Sequence, residues 1–208
     1  MKLAIVSDTH SYHRKVKVPE ADVLIHCGDF SWQGELDILE DFSNWMGDLP
    51  HKHKICILGN HDRFEIRNQD LPKLAFEKYG ITLLHNSGIE IDGLLFWGSP
   101  FTPTFGSWAW MRGRQGMSKI WAQIPDQTNV LITHGPAYGK LDKTARGTNA
   151  GCQDLWHRVK QLKDLKLHCC GHIHEGYGRV EVQGVQYVNA ASCDLAYDPV
   201  NPPIVVEI

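Results

Sequence analysis

The chain has 208 residues, 22% of them charged and 42% in the hydrophobic set, with a formal charge of -3. That length buries most of an ordinary domain's apolar surface without disulfide staples, and the composition lies far from that of disordered chains or membrane spans. The acidic balance argues against a binder of nucleic-acid duplexes, which would usually carry a basic excess, so a single globular domain over residues 1–208 with no membrane association is expected.

Met1-Lys2 leads straight into Leu3-Ala4-Ile5-Val6, too short an apolar run for a secretory leader. The six cysteines Cys27, Cys56, Cys152, Cys169, Cys170 and Cys193 show no CxxC spacing, and a reducing cytoplasm is the simpler setting. Leu3 to Val6, Asp22 to His26 and Lys54 to Leu58 are short Val/Ile/Leu-rich runs closed by turn residues, which predicts buried strands. Between the second and third, Leu36, Leu39, Phe42 or Ser43, Met46 and Leu49 recur at helical spacing within Gln33 to Leu49, with Pro50 as a stop. The unit is βαβ, so parallel pairing follows.

A second helix is predicted over Asn68 to Tyr79, with Leu71, Leu74 and Ala75 inward and Gly80 as its cap. Strands follow at Thr82 to Leu84, Ile89 to Ile91 and Leu94 to Trp97, separated by Asn86-Ser87-Gly88 and by Asp92-Gly93, a strong hairpin signal. Ser99 to Arg114 carries Phe101, Phe105, Trp108 and Trp110 without helical or strand periodicity, and reads as a functional loop. Its Phe105, Trp108 and Trp110 fit a core role equally well. Met117 to Ile124 reads as a helix and Val130 to Thr133 as a strand delivering His134. A Gly-containing loop, 135–151, precedes a helix in which Cys152, Leu155, Val159 and Leu162 share a face. Leu167 to Cys170 is a strand, Arg179 to Val182 and Gln186 to Val188 form a hairpin about Gln183-Gly184, and Ile204 to Ile208 ends the chain on an edge, where Pro202 and Pro203 confine it.

Five turns that follow predicted strands carry hard-oxygen or imidazole donors: Asp8-Thr9-His10, Gly28-Asp29, Gly59-Asn60-His61-Asp62, His134-Gly135 and Gly171-His172-Ile173-His174. Ligands of open α/β sheets collect outside the carboxyl ends of strands. Two imidazoles at i and i+2 on a non-helical turn can face two different ions. Mixed Asp, Asn and His donors without thiolates suit Mn, Fe or Zn, and the Asp29 carboxylate, with two oxygens, can bridge two cations about 3.5 to 4 Å apart.

In that order the motifs D-x-H, G-D, G-N-H-D, H-G and G-H-x-H resemble the calcineurin-like metallophosphoesterase superfamily. His134-Gly135-Pro136, the stretch 147–152 and Asn201-Pro202-Pro203-Ile204-Val205 resemble its metallophosphoesterase-domain-containing branch, so the similarity spans nearly the whole chain. The resemblance implies an α/β fold, a double β-sandwich of mixed sheets flanked by helices, with Asp8, His10, Asp29 and His174 on one transition-metal ion and Asp29, Asn60, His134 and His172 on the other. It makes His61 the non-ligand histidine at the phosphate and Asp62 its partner. Substrate contacts are expected from Asn60, His61, Trp108 and Arg112, with Arg114 beside them. Protein serine/threonine phosphatases usually show G-N-H-E, and their longer arginine-bearing segments have no equivalent here, which lowers protein phosphatase activity in rank. The remaining histidines are assigned no chemistry: His26 and His168 within strands, His51 and His53 on a solvated lysine-bearing turn, His85 and His157, with His13 alone a candidate for the cleft wall.

Two divalent cations bring four positive charges against the two negative charges of Asp8 and Asp29, so phosphate is the natural ligand. The expected activity is hydrolysis of a cyclic nucleotide or other small phosphodiester by a hydroxide bridging two divalent or trivalent ions, with His61 as acid or oxyanion donor. The alternative is a metal- and nucleotide-binding scaffold or sensor with slow turnover, against which the complete ligand set counts.

Overall fold

The computed structural model describes residues 1–66 and 70–208. Its strands are β1 (Lys2–Val6), β2 (Val23–His26), β3 (His53–Cys56), β4 (Thr82–Leu83), β5 (Ser87–Ile91), β6 (Leu94–Ser99), β7 (Thr102–Pro103), β8 (Met111–Arg112), β9 (Val130–Thr133), β10 (Leu167–Cys170), β11 (Gly178–Val182), β12 (Val185–Asn189) and β13 (Ile204–Glu207). Four α-helices, α1 (Leu36–Asp48), α2 (Leu71–Lys78), α3 (Arg114–Trp121) and α4 (Gln153–Val159), and three short 3-10 helices complete the regular structure among the described residues. No described helix is long and apolar enough to cross a membrane.

The strands make two principal sheets. One has the order β13-β1-β2-β3-β4, parallel except for the antiparallel edge β13. The other has the order β11-β12-β10-β9-β6-β5, with a parallel centre and an antiparallel hairpin at each edge. Side chains alternate across a strand, and here both faces are apolar. Leu3, Ile5, Val23 and Ile25 share one buried cluster with Phe96, Val130, Ile132 and Val188 of the second sheet, the layer between the sheets. Ala4, Val6, Leu24 and Leu131 belong to the cluster that contains the helical residues Phe42, Met46, Phe76, Trp121 and Leu155. This is the expected double β-sandwich of mixed sheets flanked by helices, and its double-sided burial explains why the parallel strands read as continuous hydrophobic runs.

Several local expectations are corrected. In α1 Leu39, Phe42, Ser43 and Met46 are buried, but Leu36 lies in the first turn and is exposed. In α2 the buried pair is Pro72 and Phe76, spaced i and i+4, and Leu74 faces solvent; the start proposed at Asn68 lies outside the described residues. β4 pairs in parallel with β3, so it extends the first sheet rather than leading the antiparallel portion. Ser87 and Gly88 lie inside β5, leaving Asn86, in the left-handed region at φ 45°, as the turn residue. The two hairpin signals hold: Asp92-Gly93 and Gln183-Gly184 have φ of 48° and 79°, and 54° and 79°, the doubly positive pair of a type I′ turn. Helix α3 begins at Arg114, three residues before the expected start.

Candidate metal centre

Every donor-bearing turn leaves the carboxyl end of a strand in the same direction, and the two sheets meet there. Ser7, just past β1, bridges Ala191, just past β12, and the His172 amide, from the second sheet, reaches the Asp8 carboxylate of the first. The structure thereby brings together all seven expected ligands except for one qualification of kind: Asn60 enters through its amide oxygen, 2.9 Å from His134 Nε2. Donor atoms of Asp8, His10 and His174 lie within 4.8 Å of one another, as do those of Asp29, His134 and His172, and those of His10, Asp29 and His61. His10 and Asp29 each belong to two of these groups, so the three form a chain.

The backbone is bent to achieve this. Asp8, His10, Asp29 and His172 all sit in the left-handed region, with φ of 50°, 40°, 56° and 67°. Such conformations cost about 1–3 kcal/mol each and persist where surrounding structure over-determines them. The surroundings do so: the His172 amide donates to both oxygens of Asp8, at 3.1 and 2.9 Å. The close approach of the Asp29 and Asn60 turns also requires Gly59, where a Cβ would meet Asp29 Oδ1 and lie 2.6 Å from His134 Cε1.

Three rings are oriented by a backbone carbonyl. The Nδ1–H groups of His134, His174 and His61 donate to the carbonyls of Cys27 (2.9 Å), Asp194 (2.8 Å) and Trp32 (2.9 Å), which turns each Nε2 away from that carbonyl, the arrangement typical of metal-binding imidazoles. His10 has no such anchor; both ring nitrogens are buried without a hydrogen-bond partner.

Electrostatically, the cluster gathers positive charge. Burial alone would raise the Asp8 and Asp29 carboxyls, yet His174 beside Asp8 and His134 beside Asp29 hold both well below the usual range. Reciprocally, the same carboxylates overcome burial to lift His134 and His174 to about 9. Burial dominates at His10 and His172, pushing them down to about 4 and about 3, so these two remain neutral donors at pH 7.

Asp62 does not meet its expectation. Its carboxylate accepts the amides of Asp29 (2.8 Å), Gly59 (2.9 Å) and Ser31 (3.0 Å) and the Ser31 hydroxyl (2.7 Å), whereas the His61 ring is anchored on Trp32. Asp62 therefore locks two motif turns together and is not the partner of His61. The chain turns back at Gly59, whose carbonyl accepts the Asp62 amide, and this directs the carboxylate inward.

The 99–114 loop divides. Phe101 and Trp110 are core, and the Trp110 indole donates to the Asp62 carbonyl at 2.9 Å. Trp108 is half-buried over His61, ring centroids 4.4 Å apart, and the exposed Phe105 lies 5.1 Å from the His172 ring. Arg112 is corrected: its guanidinium stacks on Phe101 at 4.8 Å and donates to the Met111 carbonyl, on the side of His85. Arg114 is instead the arginine that lines the cavity next to His172.

Two rim residues escaped the sequence reading. Trp32 and Tyr197 pack on His10 with centroids 4.8 and 4.9 Å away, and Tyr197 also meets His174 at 5.3 Å. The left-handed φ of Tyr197, 62°, is visible only in the fold. The bland histidines behave largely as expected: His26 contacts the Thr9 hydroxyl (3.2 Å) and His168 that of Thr133 (2.8 Å), each bracing the residue before a ligand. His51 and His53 are exceptions: His51 is buried with its ring on the Pro19 carbonyl at 3.0 Å, and His53 opens β3, paired with Val23, instead of lying on a solvated turn. His13 is buried against Phe42 and Trp45 with Nε2 2.8 Å from Asp41, so it does not form the cleft wall.

Known proteins share sequence and fold with this chain. The chain is 36% identical over 230 residues to human metallophosphoesterase domain-containing protein 1, covering 100% of this chain and 71% of the relative. Among solved structures, an archaeal phosphodiesterase superposes with a TM-score of 0.55 at 20% identity, covering 100% of this chain and 93% of that one. A Thermus thermophilus protein does so with a TM-score of 0.59 at 12% identity, over 99% and 98%. The calcineurin-like phosphoesterase family model matches residues 1–176, the span that holds all five motif turns, and the chain belongs to that family of metal-dependent phosphoesterases.

Proposed function

We propose that the chain hydrolyses a cyclic nucleotide or other small phosphodiester with two transition-metal ions, Mn, Fe or Zn. The observation that carries this reading is the chain of three His/Asp groups linked through His10 and Asp29. Asp8, His10, Asp29 and His174 would hold one ion and Asp29, Asn60, His134 and His172 the other. The donor set fits: His10 offers two buried, unpartnered nitrogens, two carboxylates are held ionised, and no thiolate competes. Bound there, the ions supply Lewis acidity toward phosphate oxygens and acidify water near neutral pH.

The protein's own part is to orient and to deliver a proton. With Nδ1–H spent on the Trp32 carbonyl and the Trp108 indole against one face, the His61 ring is fixed, and in its imidazolium form Nε2–H is the proton it presents to the leaving oxygen, which leaves the ring neutral with Nδ1–H still on Trp32. His61→Ala is expected to keep metal content near wild type while lowering turnover at least about tenfold. The loss should shrink with a nitrophenolate leaving group, which needs little protonation; an equal loss with that ester would assign His61 to phosphate positioning.

The diester preference rests on charge and space. A monoester dianion can clamp a dinuclear centre as a product-like inhibitor, whereas a diester monoanion carries a second substituent that must be housed, and the cleft has room for one beside His172. Tight ground-state binding does not itself raise the chemical rate. With Mn supplied, kcat/KM is expected to be higher for a diester than for the matched monoester of one alcohol; a clear monoester preference would sink the phosphodiesterase reading. All six cysteines are buried and unpaired, which supports a reducing, cytoplasmic setting.

A further inference from the structure

Beside the metal centre, and separate from the Trp32/Tyr197 rim, lies a cavity of about 320 Å³ whose walls include Phe105, Pro136, Cys152, His172 and Ile173, with Arg114 as its charged residue. Much of its polar backbone is already committed. The amides of Ala150 and Gly151 donate to Asp142, that of Cys152 to the Pro136 carbonyl, and the Cys152 carbonyl accepts the Tyr138 amide. The Cys152 sulfur accepts the Trp121 indole at 3.2 Å, and the Ile173 carbonyl accepts the Asn189 amide at 2.8 Å. A guest therefore finds apolar contact but few groups with which to read the edge of a nucleobase. Arg114, at the exposed start of α3, makes no salt bridge among the described residues.

We infer that this cavity seats the second substituent of the phosphodiester and selects a compact apolar body, aryl or short alkyl, that ends in an anionic group. The inference rests on the proposed metal-bound phosphate, because His172 belongs both to the donor cluster and to the cavity wall. A phosphoryl group held at the cluster directs one substituent past His172 and under the Phe105 ring. The apolar body then displaces water from a wall with little hydrogen bonding to lose, and its far end reaches the guanidinium. Among the proposed substrates, this favours a small non-nucleotide diester.

The test uses ligands whose carbon-phosphorus bond cannot be hydrolysed: methylphosphonate, benzylphosphonate and 4-carboxybenzylphosphonate, titrated calorimetrically into the metal-loaded protein. Benzylphosphonate should bind at least about tenfold more tightly than methylphosphonate, as burial of a ring predicts. The carboxylate should add about threefold, the scale of a solvent-accessible ion pair. Ala150→Leu, which fills the cavity, should compress the benzyl-to-methyl ratio toward one, and Arg114→Gln should erase only the carboxylate increment. Phe105→Ala, which removes a ring already exposed, should also compress the benzyl ratio, and it keeps the test valid if Ala150→Leu folds poorly. Equal affinities for the three phosphonates, no binding of any of them, or ratios untouched by the variants would overturn the pocket. Methyl p-nitrophenyl phosphate separates the two readings: hydrolysis of that diester with flat phosphonate affinities removes the pocket and keeps the activity, whereas graded affinities without cleavage of any diester remove the activity and keep the pocket.

Discussion

Asp29→Asn is expected to lower turnover by more than about a hundredfold, above the range typical of residues that merely orient a metal ligand, and to leave the purified protein depleted of metal at both positions. Asn has nearly the shape of Asp and keeps an oxygen for the His61 amide, which Asp29 Oδ1 accepts at 2.7 Å, so the fold is not the variable. Charge is. Asp29 is buried and its Oδ2 lies 3.2 Å from His134 Nε2, and it stands in two of the three donor groups, one with His10 and one with His134. Replacing it removes half of the carboxylate charge offered to two cations, together with the ligand proposed to touch both. Elemental analysis paired with kinetics decides the matter: two retained equivalents of transition metal in a folded variant would refute the bridging role.

Gly171→Ala is the second large effect, and it acts through space. A Cβ at residue 171 would collide with Asp8 Oδ2 and Ser7 Oγ and lie 2.7 Å from Ser7 Cβ. Those atoms cannot retreat cheaply, because Asp8 is buried in a left-handed conformation and its carboxylate holds the His172 amide. Overpacking of this kind costs about 1–3 kcal/mol, and for a chain of this size each kcal/mol lowers Tm by about 2–4 °C. Activity should fall further than stability, since relief of the clash moves Asp8, one of the two carboxylates. A variant with wild-type melting temperature and metal content would show that the turn yields where this packing says it cannot.

The five donor turns were legible because each pairs a Val/Ile/Leu-rich strand with a polar residue directly after it, a local pattern that survives without tertiary information. Partnerships across the fold were not. Adjacency suggested Asp62 for His61, but the tight turn after Gly59 sends the carboxylate back to the Asp29 loop and leaves the ring to the Trp32 carbonyl. Tyr197 and Trp32 lie far from His10 in sequence and carry no motif, and Arg112 and Arg114 were indistinguishable until the short β7-β8 ribbon set one against Phe101 and the other against the cavity. Helical periodicity identified α1 and α2, yet their faces were set by Trp45 and Phe76, larger side chains than the misplaced Leu36 and Leu74.

The donor set is divided between the two sheets: Asp8, His10, Asp29 and Asn60 come from the first, His134, His172 and His174 from the second. The contacts that close it, such as the His172 amide on Asp8 across 164 residues and the His134 ring on the Cys27 carbonyl across 107, are among the most sequence-distant in the chain. The cleft is thus also a seam. Contacts so remote in sequence carry a loop-closure cost and form only when both halves have docked; the first sheet alone brings together His10, Asp29 and His61, but the full donor set, and with it competence for chemistry, arrives only with the completed sandwich.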